Sequence, residues 1–425
     1  MQFLRTFLQE NLSLSTKLTI KEWLATAERL IPLIRVSTSR EVSGTHSQYK
    51  PAEDNRPAIL ICDERPPSPD RDAGSARMMM ILHTLNRSHQ VTFLVCNRPH
   101  GIEYEEALWK LGIQTGDAFQ FRQYLKQTNC DIVILSRPDI AGAMLDRVRR
   151  ANRDVKIVYD MLDVHHLRAA REAALTGDPR ARRECERLRQ LETRLGRASD
   201  LIWCGSLPDQ KLMAQIAPNV PSEVVPTVHP LRERGLPLAE RQDLMFIGSY
   251  SHRPNTDAIH YFAREVLPLI RQSLPQVELL VIGGNAPREF EQYSAIGVRV
   301  LGHVPDLEPI VARSRVFVAP IRFGSGVNGK IGEALAHGLP VVTTSIGAEG
   351  WGFTGGDQVL IADTPDTFAT AVLDLYNNED LWHRLSDAGY QHIAEKFTPQ
   401  VIGQVIDESL ERLRHSSKAA HEQSG

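Results

Sequence analysis

Residues 319–350, APIRFGSGVNGKIGEALAHGLPVVTTSIGAEG, constrain the fold of this chain more than any other stretch. An apolar strand (316–319) runs into a loop with glycines at 324, 326 and 329. A helix follows whose start carries Lys330 and Glu333, and a second strand covers 340–343. Glycine lets backbone amides approach a ligand closely, and a helix N-terminus carries roughly half a positive charge. A lysine at that end makes the site suited to a diphosphate. A carboxylate one turn further on can accept hydrogen bonds from sugar hydroxyls. Glycines alone would fit a strand-to-helix turn in any α/β protein. The ordered set Lys330, Glu333, Gly338-Leu339-Pro340, Gly347 and Glu349 is more specific and reads as a nucleotide-sugar site.

The flanking sequence repeats the strand–helix alternation. Residues 243–248 (DLMFIG) form an apolar strand ending in glycine, and a long helix follows, with Asn255 as its expected N-cap. Ile259, Phe262, Val266, Leu269 and Ile270 recur on that helix at helical spacing. The strands VELLVIGG and VRVLGHV and the short helix DLEPIVARS come next. Such alternation indicates a parallel sheet wound on both faces.

Together with the G-x-x-x-H-x-P-N-x-D-A pattern at 248–258, these motifs resemble the C-terminal domain of retaining glycosyltransferases of family 4, over roughly residues 240–400. The resemblance implies a GT-B architecture, α/β, with two doubly wound Rossmann-like domains facing across a cleft. It also implies site roles. Lys330 holds the donor diphosphate and Glu333 the ribose, helped by Gly248 and the amides of Gly324, Ser325 and Gly326, with Arg253 or Arg322 as a second phosphate cation. Gly347 and Glu349 line the donor sugar or its phosphates. One departure stands out. Many members carry two glutamates spaced E-x7-E, the first facing the donor sugar, and here that first position is Ser325.

In the N-terminal half, the strand AILIC (58–62) leads to a proline-rich loop and then to DRDAGSAR at 70–77, which turns into a helix bearing Met79, Ile81, Leu82 and Leu85. By resemblance Gly74 approaches the donor phosphates and Asp72 and Arg77 border the acceptor; a salt-bridged cap of Asp70, Arg71 and Asp72 is the alternative. The strand VKIVYD is followed by MLDVHHLRAAR, which crowds Asp160, Asp163, His165, His166 and Arg168 at a strand's C-terminal end, where open α/β sheets bind ligands. His165 falls where relatives place a histidine near the donor sugar, and Asp163 is assigned to the acceptor side. Asp-x-x-Asp-x-His also contains oxygen and nitrogen ligands, but GT-B enzymes generally neutralise diphosphate with protein groups, so no metal and no cofactor is expected.

Net charge of −3 gives no case for binding nucleic acid polymers. Five dispersed cysteines without C-x-x-C suggest neither a zinc cluster nor a disulfide framework, and Cys62, Cys96, Cys130 and Cys204 read as small core hydrophobes in a reducing compartment. No apolar run reaches the roughly 18–20 residues that cross a bilayer. The expected organisation is an amphipathic helical extension (1–36), a polar linker (37–57), an acceptor-side Rossmann-like domain (58–234), a nucleotide-sugar-binding domain (235–398), a crossover helix (399–415) and a disordered tail (416–425). The arginine- and glutamate-rich helix at 178–198 reads as solvated with a narrow packed stripe of Leu188, Leu191 and Leu195.

These features imply a cytoplasmic glycosyltransferase with His165, Lys330 and Glu333 as catalytic residues. It moves a sugar from a nucleotide-diphosphate sugar to a saccharide, lipid-linked, protein or small-molecule acceptor with retention of configuration. The N-terminal helices are candidates for packing on the body, for a partner protein or for the inner face of the membrane. Two alternatives stand beside this reading: a non-catalytic subunit that keeps the fold, which the missing glutamate favours, and an isomerase of the nucleotide-sugar 2-epimerase kind.

Overall fold

The computed structural model describes residues 55–70, 72–97, 102–354 and 356–422, with side chains as far as 415. The expected extension at 1–36, nearly all of the 37–57 linker, and Arg71 lie outside the described residues.

Two sheets organise the chain. The first runs β3-β2-β1-β4-β5-β6-β7, where β1 is Ala58–Asp63, β2 Gln90–Val95, β3 Gln114–Asp117, β4 Ile132–Ser136, β5 Lys156–Asp160, β6 Leu201–Cys204 and β7 Ser222–Val224. Its pairs from β3 through β5 are parallel. The second runs β10-β9-β8-β11-β12-β13, where β8 is Gln242–Ile247, β9 Leu279–Ile282, β10 Val298–Gly302, β11 Ser314–Ala319, β12 Val341–Thr343 and β13 Leu360–Ile361, all pairs parallel. A strand covered by helices on both faces reads as an unbroken apolar run, and AILICD and IVILS are buried at every position. Both domains are Rossmann-like, as expected.

By density of contacts the chain divides into two compact units that do not follow the sheets strictly. One gathers Leu82–Asp160 and Arg194–Ile202 with the segment ending at Pro66. The other gathers Pro67–Ile81, Met161–Thr193 and the chain from Trp203 onward. The second unit therefore contains, with the whole second sheet, the two N-terminal stretches singled out above.

Strand order in the second sheet reverses between β8 and β11, where connections leave in opposite directions and open a crevice beyond the strand ends. Val316 lies opposite Leu244 and Phe317 opposite Met245, so the loops after Ile247 and Ala319 emerge side by side. Beneath them Phe246 stacks on Phe317 at 6.5 Å, packed with the fully buried Ile331 from the next helix. Burial of each such ring stabilises the fold by about 1.5–3 kcal/mol.

Asn255 is not an N-cap. The helix begins two residues earlier, at Arg253, because Pro254 fits a first turn that has no use for its missing N–H. Asn255 is buried and turns its Nδ2 back to the Ser249 carbonyl at 2.8 Å. The same helix passes through a π turn at Phe262–Val266, which ends two residues before Pro268. Of the apolar set expected on the helix after DRDAGSAR, Ile81, Leu82 and Leu85 are buried and Met79 only half so, with Met78 and Met80 buried instead. The last helix, Pro399–Glu422, packs on β7, and Trp203 Nε1 of β6 donates to Ser409 Oγ at 3.1 Å. It continues through 416–422, read from composition as a disordered tail; Lys, Ala, Ala and Glu are good formers, and extending a helix needs no new nucleus. Cys62, Cys96, Cys130 and Cys204 are buried thiols outside any disulfide. No described helix is long and apolar enough to cross a membrane.

Candidate functional site

The loop leaving β11 ends in the helix Gly329–Ala336, whose N-cap residue, Asn328, makes no side-chain cap. Its Oδ1 instead accepts Lys330 Nζ at 2.6 Å, and the ammonium stands 5.5 Å above the Phe246 ring. No carboxylate among the described residues pairs with Lys330, and burial pulls its ammonium down to about 7. A second helix start abuts the first. A Cβ on Gly329 would lie 2.6 Å from Ala73 Cβ, so a side chain there is excluded by the opening residue of the helix Ala73–Leu85. Two helix N-termini and a half-buried lysine thus converge, and Gly74 lies in the first turn of the second.

One turn past Lys330, Glu333 stands 3.9 Å from His229 Nδ1 and 3.8 Å from His337 Nδ1. Burial pushes its carboxyl up, but His229, His337 and Arg232 outweigh burial and hold it below the usual range. It is ionised and about a third exposed, suited to accept hydroxyl hydrogen bonds. His229, which the sequence did not flag, is buried with Nδ1 unbonded. Gly332 makes room for its ring: a Cβ there would meet it at 2.4 Å.

On the other side of the glycine loop, Ser325 Oγ donates to Asp163 Oδ2 at 2.5 Å. The same oxygen takes Arg168 Nη1 at 2.7 Å, and Oδ1 lies 3.1 Å from His165 Nδ1. Burial raises the Asp163 carboxyl, yet His165, Arg168 and the Ser325 hydroxyl hold it low, so it stays charged. Gly326, at φ +70°, is where the loop meets this aspartate: an added Cβ would lie 2.8 Å from Asp163 Cβ. The Nδ1 contacts of His165, which include the Asp163 carbonyl at 3.0 Å, leave Nε2 as the acceptor in its neutral form. His165 opens the helix His165–Thr176, and Glu192, fully buried, accepts the backbone N–H of His165 at 2.8 Å and of His166 at 3.1 Å. It also bonds His166 Nδ1 at 2.6 Å. A carboxylate essential to this corner therefore sits on the helix Pro179–Ala198 that its sequence shows as solvated. Leu188 and Leu195 are buried there as expected.

Several expected ligand groups are engaged by the protein itself. Arg322 is forked onto Asp257 (2.9 and 2.5 Å) over the Tyr261 ring, and Arg253 pairs with Glu172. Glu349 is held by both terminal nitrogens of Arg171, at 2.5 and 2.9 Å, and Arg171 also reaches the Gly324 carbonyl at 2.8 Å. Gly347 is buried with its N–H given to Thr344 Oγ1 at 3.0 Å, which leaves no amide for a ligand. Gly248 is kept bare by Asn255 Nδ2, 2.6 Å from where its Cβ would be. Asp72 caps its helix, accepting Ser75 N at 2.8 Å and Ser75 Oγ at 2.9 Å, which is the capping alternative for that residue. Arg77 corrects the acceptor-side assignment: it is 1% exposed and gives Nε to the Val225 carbonyl at 2.8 Å, an internal strut.

One further acid was unforeseen. Asp209, buried, accepts Ser206 Oγ at 2.6 Å, and its Oδ2 would lie 3.8 Å from a Cβ on Gly326. Burial, with repulsion from Asp163, Glu349 and Glu192, pushes its carboxyl up to about 7. No cluster of three or more His, Cys, Asp or Glu able to hold a metal exists among the described residues.

Two parallel sheets, each wound with helices, with the loop and helix start after β11 at the switch point of the second, define the fold class: GT-B. Residues 241–378 of the chain match the family described as Glycosyl transferases group 1. A curated relative from Klebsiella pneumoniae, an uncharacterized 44.6 kDa protein in the cps region, is 24% identical over 188 residues, 42% of this chain. The matched part spans about half, 48%, of that relative. Among solved structures, sucrose-phosphate synthase from Thermosynechococcus elongatus is similar at TM-score 0.66 and 14% identity, covering 85% of this chain and all of that one. Anabaena HepE in complex with UDP-glucose is similar at TM-score 0.65 and 14% identity, covering 84% and 99%. At such identities these structures establish the fold.

Proposed function

We propose that this protein is a glycosyltransferase that moves a sugar from a nucleoside-diphosphate sugar to an acceptor hydroxyl with retention of configuration. The observation that carries the reading is Lys330: a half-buried ammonium without a carboxylate partner among the described residues, at the meeting of two helix N-termini. A diphosphate supplies the missing counter-charge, and ionised Glu333 takes the ribose hydroxyls. The group 1 domain supports the class, and the UDP-glucose bound by HepE makes a uridine donor the first to try. In the reaction the bond from the anomeric carbon to the diphosphate breaks and its electrons leave with the diphosphate. The acceptor oxygen bonds to that carbon, and its proton passes to the departing diphosphate. Lys330 and the helix ends neutralise that charge, so EDTA leaves the rate unchanged. The acceptor is a glycan, lipid-linked saccharide, protein or small molecule.

Ser325, where relatives carry a glutamate, favours a second reading: a subunit that binds the donor without turning it over. Binding of UDP, GDP and ADP and hydrolysis of their sugars, measured on wild type and Lys330→Ala, separates the two. One nucleotide bound and its sugar hydrolysed, both lost in the variant, establishes the enzyme. Binding without turnover by the isolated chain favours the subunit, and no binding to any of them removes both.

A further inference from the structure

We propose that Asp163 is the carboxylate that faces the donor sugar in this chain, delivered onto the glycine loop at Ser325 from a segment 162 residues away. The proposal rests on the transferase reading above. As the bond to the diphosphate breaks, positive charge develops on the sugar ring, and a fixed negative group beside it lowers the barrier. The loop at 320–330 contains no Asp or Glu of its own. Of the acids around it, Glu349 gives both oxygens to Arg171 and meets the loop through that guanidinium, Glu192 is committed to the amides of His165 and His166, and Asp209 keeps its proton to about 7. Asp163 alone among these four is both ionised and in direct contact with the loop. Its orientation is fixed on three sides by Ser325, Arg168 and His165, and Gly326 has no side chain to obstruct it. An ionised carboxylate repels phosphate, so its place is beside the sugar, with the diphosphate at Lys330. Asp163 forms no bond to carbon and moves no proton; the bonds made and broken are those given above, with water replacing the acceptor when none is present.

The test compares wild type, Asp163→Asn, Ser325→Glu and the double variant, reading two quantities: kcat for hydrolysis of UDP-glucose, GDP-mannose or ADP-glucose, and Kd for the matching nucleoside diphosphate. Asn keeps an oxygen for Ser325 and Arg168, removes the charge and turns an amide NH2 toward His165 Nδ1. The expected result is a fall in kcat of about 100-fold for Asp163→Asn. Kd should stay within about threefold, and the double variant should regain at least about tenfold in kcat. Unchanged kcat in Asp163→Asn overturns the proposal and leaves the transferase reading standing. Parallel loss of kcat and nucleotide affinity, without recovery by Ser325→Glu, also overturns it, since Asp163 would then only build the loop. If Asp163→Asn does not fold, Ser325→Glu alone decides. Placed beside Asp163, a second carboxylate at the sugar should change kcat at least about threefold with little change in Kd. A kcat that does not respond overturns the proposal. Wild type that binds a nucleotide yet hydrolyses no donor removes the transferase reading, and this proposal with it.

Discussion

At the start of the helix His165–Thr176 the first amides donate to Glu192, a carboxylate brought from another helix and sealed from solvent. At the start of Gly329–Ala336 no side chain caps the amides, and Lys330 adds a positive charge where Glu192 supplied a negative one. Both ends carry the same partial charge from the peptide dipoles. One is satisfied within the chain and is architecture; the other is the one we propose receives an anion from outside. The same contrast separates Arg171, Arg253 and Arg322, each matched to a carboxylate, from Lys330. A positively charged residue near a helix start is thus not enough to mark a phosphate site, and its partner inside the fold decides.

The largest effect that would break this contrast is at Lys330. Lys330→Ala should weaken nucleoside diphosphate binding by about 1.5–3 kcal/mol, roughly ten- to a hundredfold in Kd by calorimetry, with turnover falling alongside. Glu192→Gln should do the opposite. It should cost about 1–2 kcal/mol of stability in urea unfolding and leave nucleotide affinity unaltered, and a loss of affinity as large as that of Lys330→Ala would end the distinction.

The pH dependence is a smaller effect with a definite sign. Because the free-state ammonium of Lys330 titrates near 7, nucleotide affinity should fall as pH rises from 7 to 9, with proton uptake seen as buffer-dependent binding heat. A flat profile would show that the lysine is charged without its ligand. Smallest is Asp209. Its folded carboxyl stays protonated above the unfolded value, so it contributes a stability that is full at low pH and lost as pH rises toward 7. Asp209→Asn should flatten that decline in melting temperature, because the amide cannot ionise.

Much of this could be read from the chain alone, for identifiable reasons. Strand segments such as AILIC and IVIL are apolar throughout, and Lys330, Glu333 and the loop glycines are close in sequence, so local pattern reveals them. The start of the helix at Arg253 escaped because an asparagine that resembles a cap follows a proline that begins the turn. What could not be seen were pairings across long separations: Arg171 with Glu349, Ser325 with Asp163, Arg77 with Val225, separated by 178, 162 and 148 positions. Glu192 was hidden for another reason. It lies in a run of charges on an arginine-rich helix, where no composition or period distinguishes the one buried acid from its solvated neighbours.

The compact unit that holds the site is assembled from three stretches, Pro67–Ile81, Met161–Thr193 and everything from Trp203. Contacts so distant along the chain form late in folding, after loops of a hundred residues have closed. The site is therefore not portable with its sheet. A graft that exchanges only residues 235–398 between relatives transfers Lys330 and Glu333 but separates Ser325 from Asp163 and Arg171 from Glu349. Recombination that respects this protein's function must follow the seams of its packing, which cross the boundaries of its sheets.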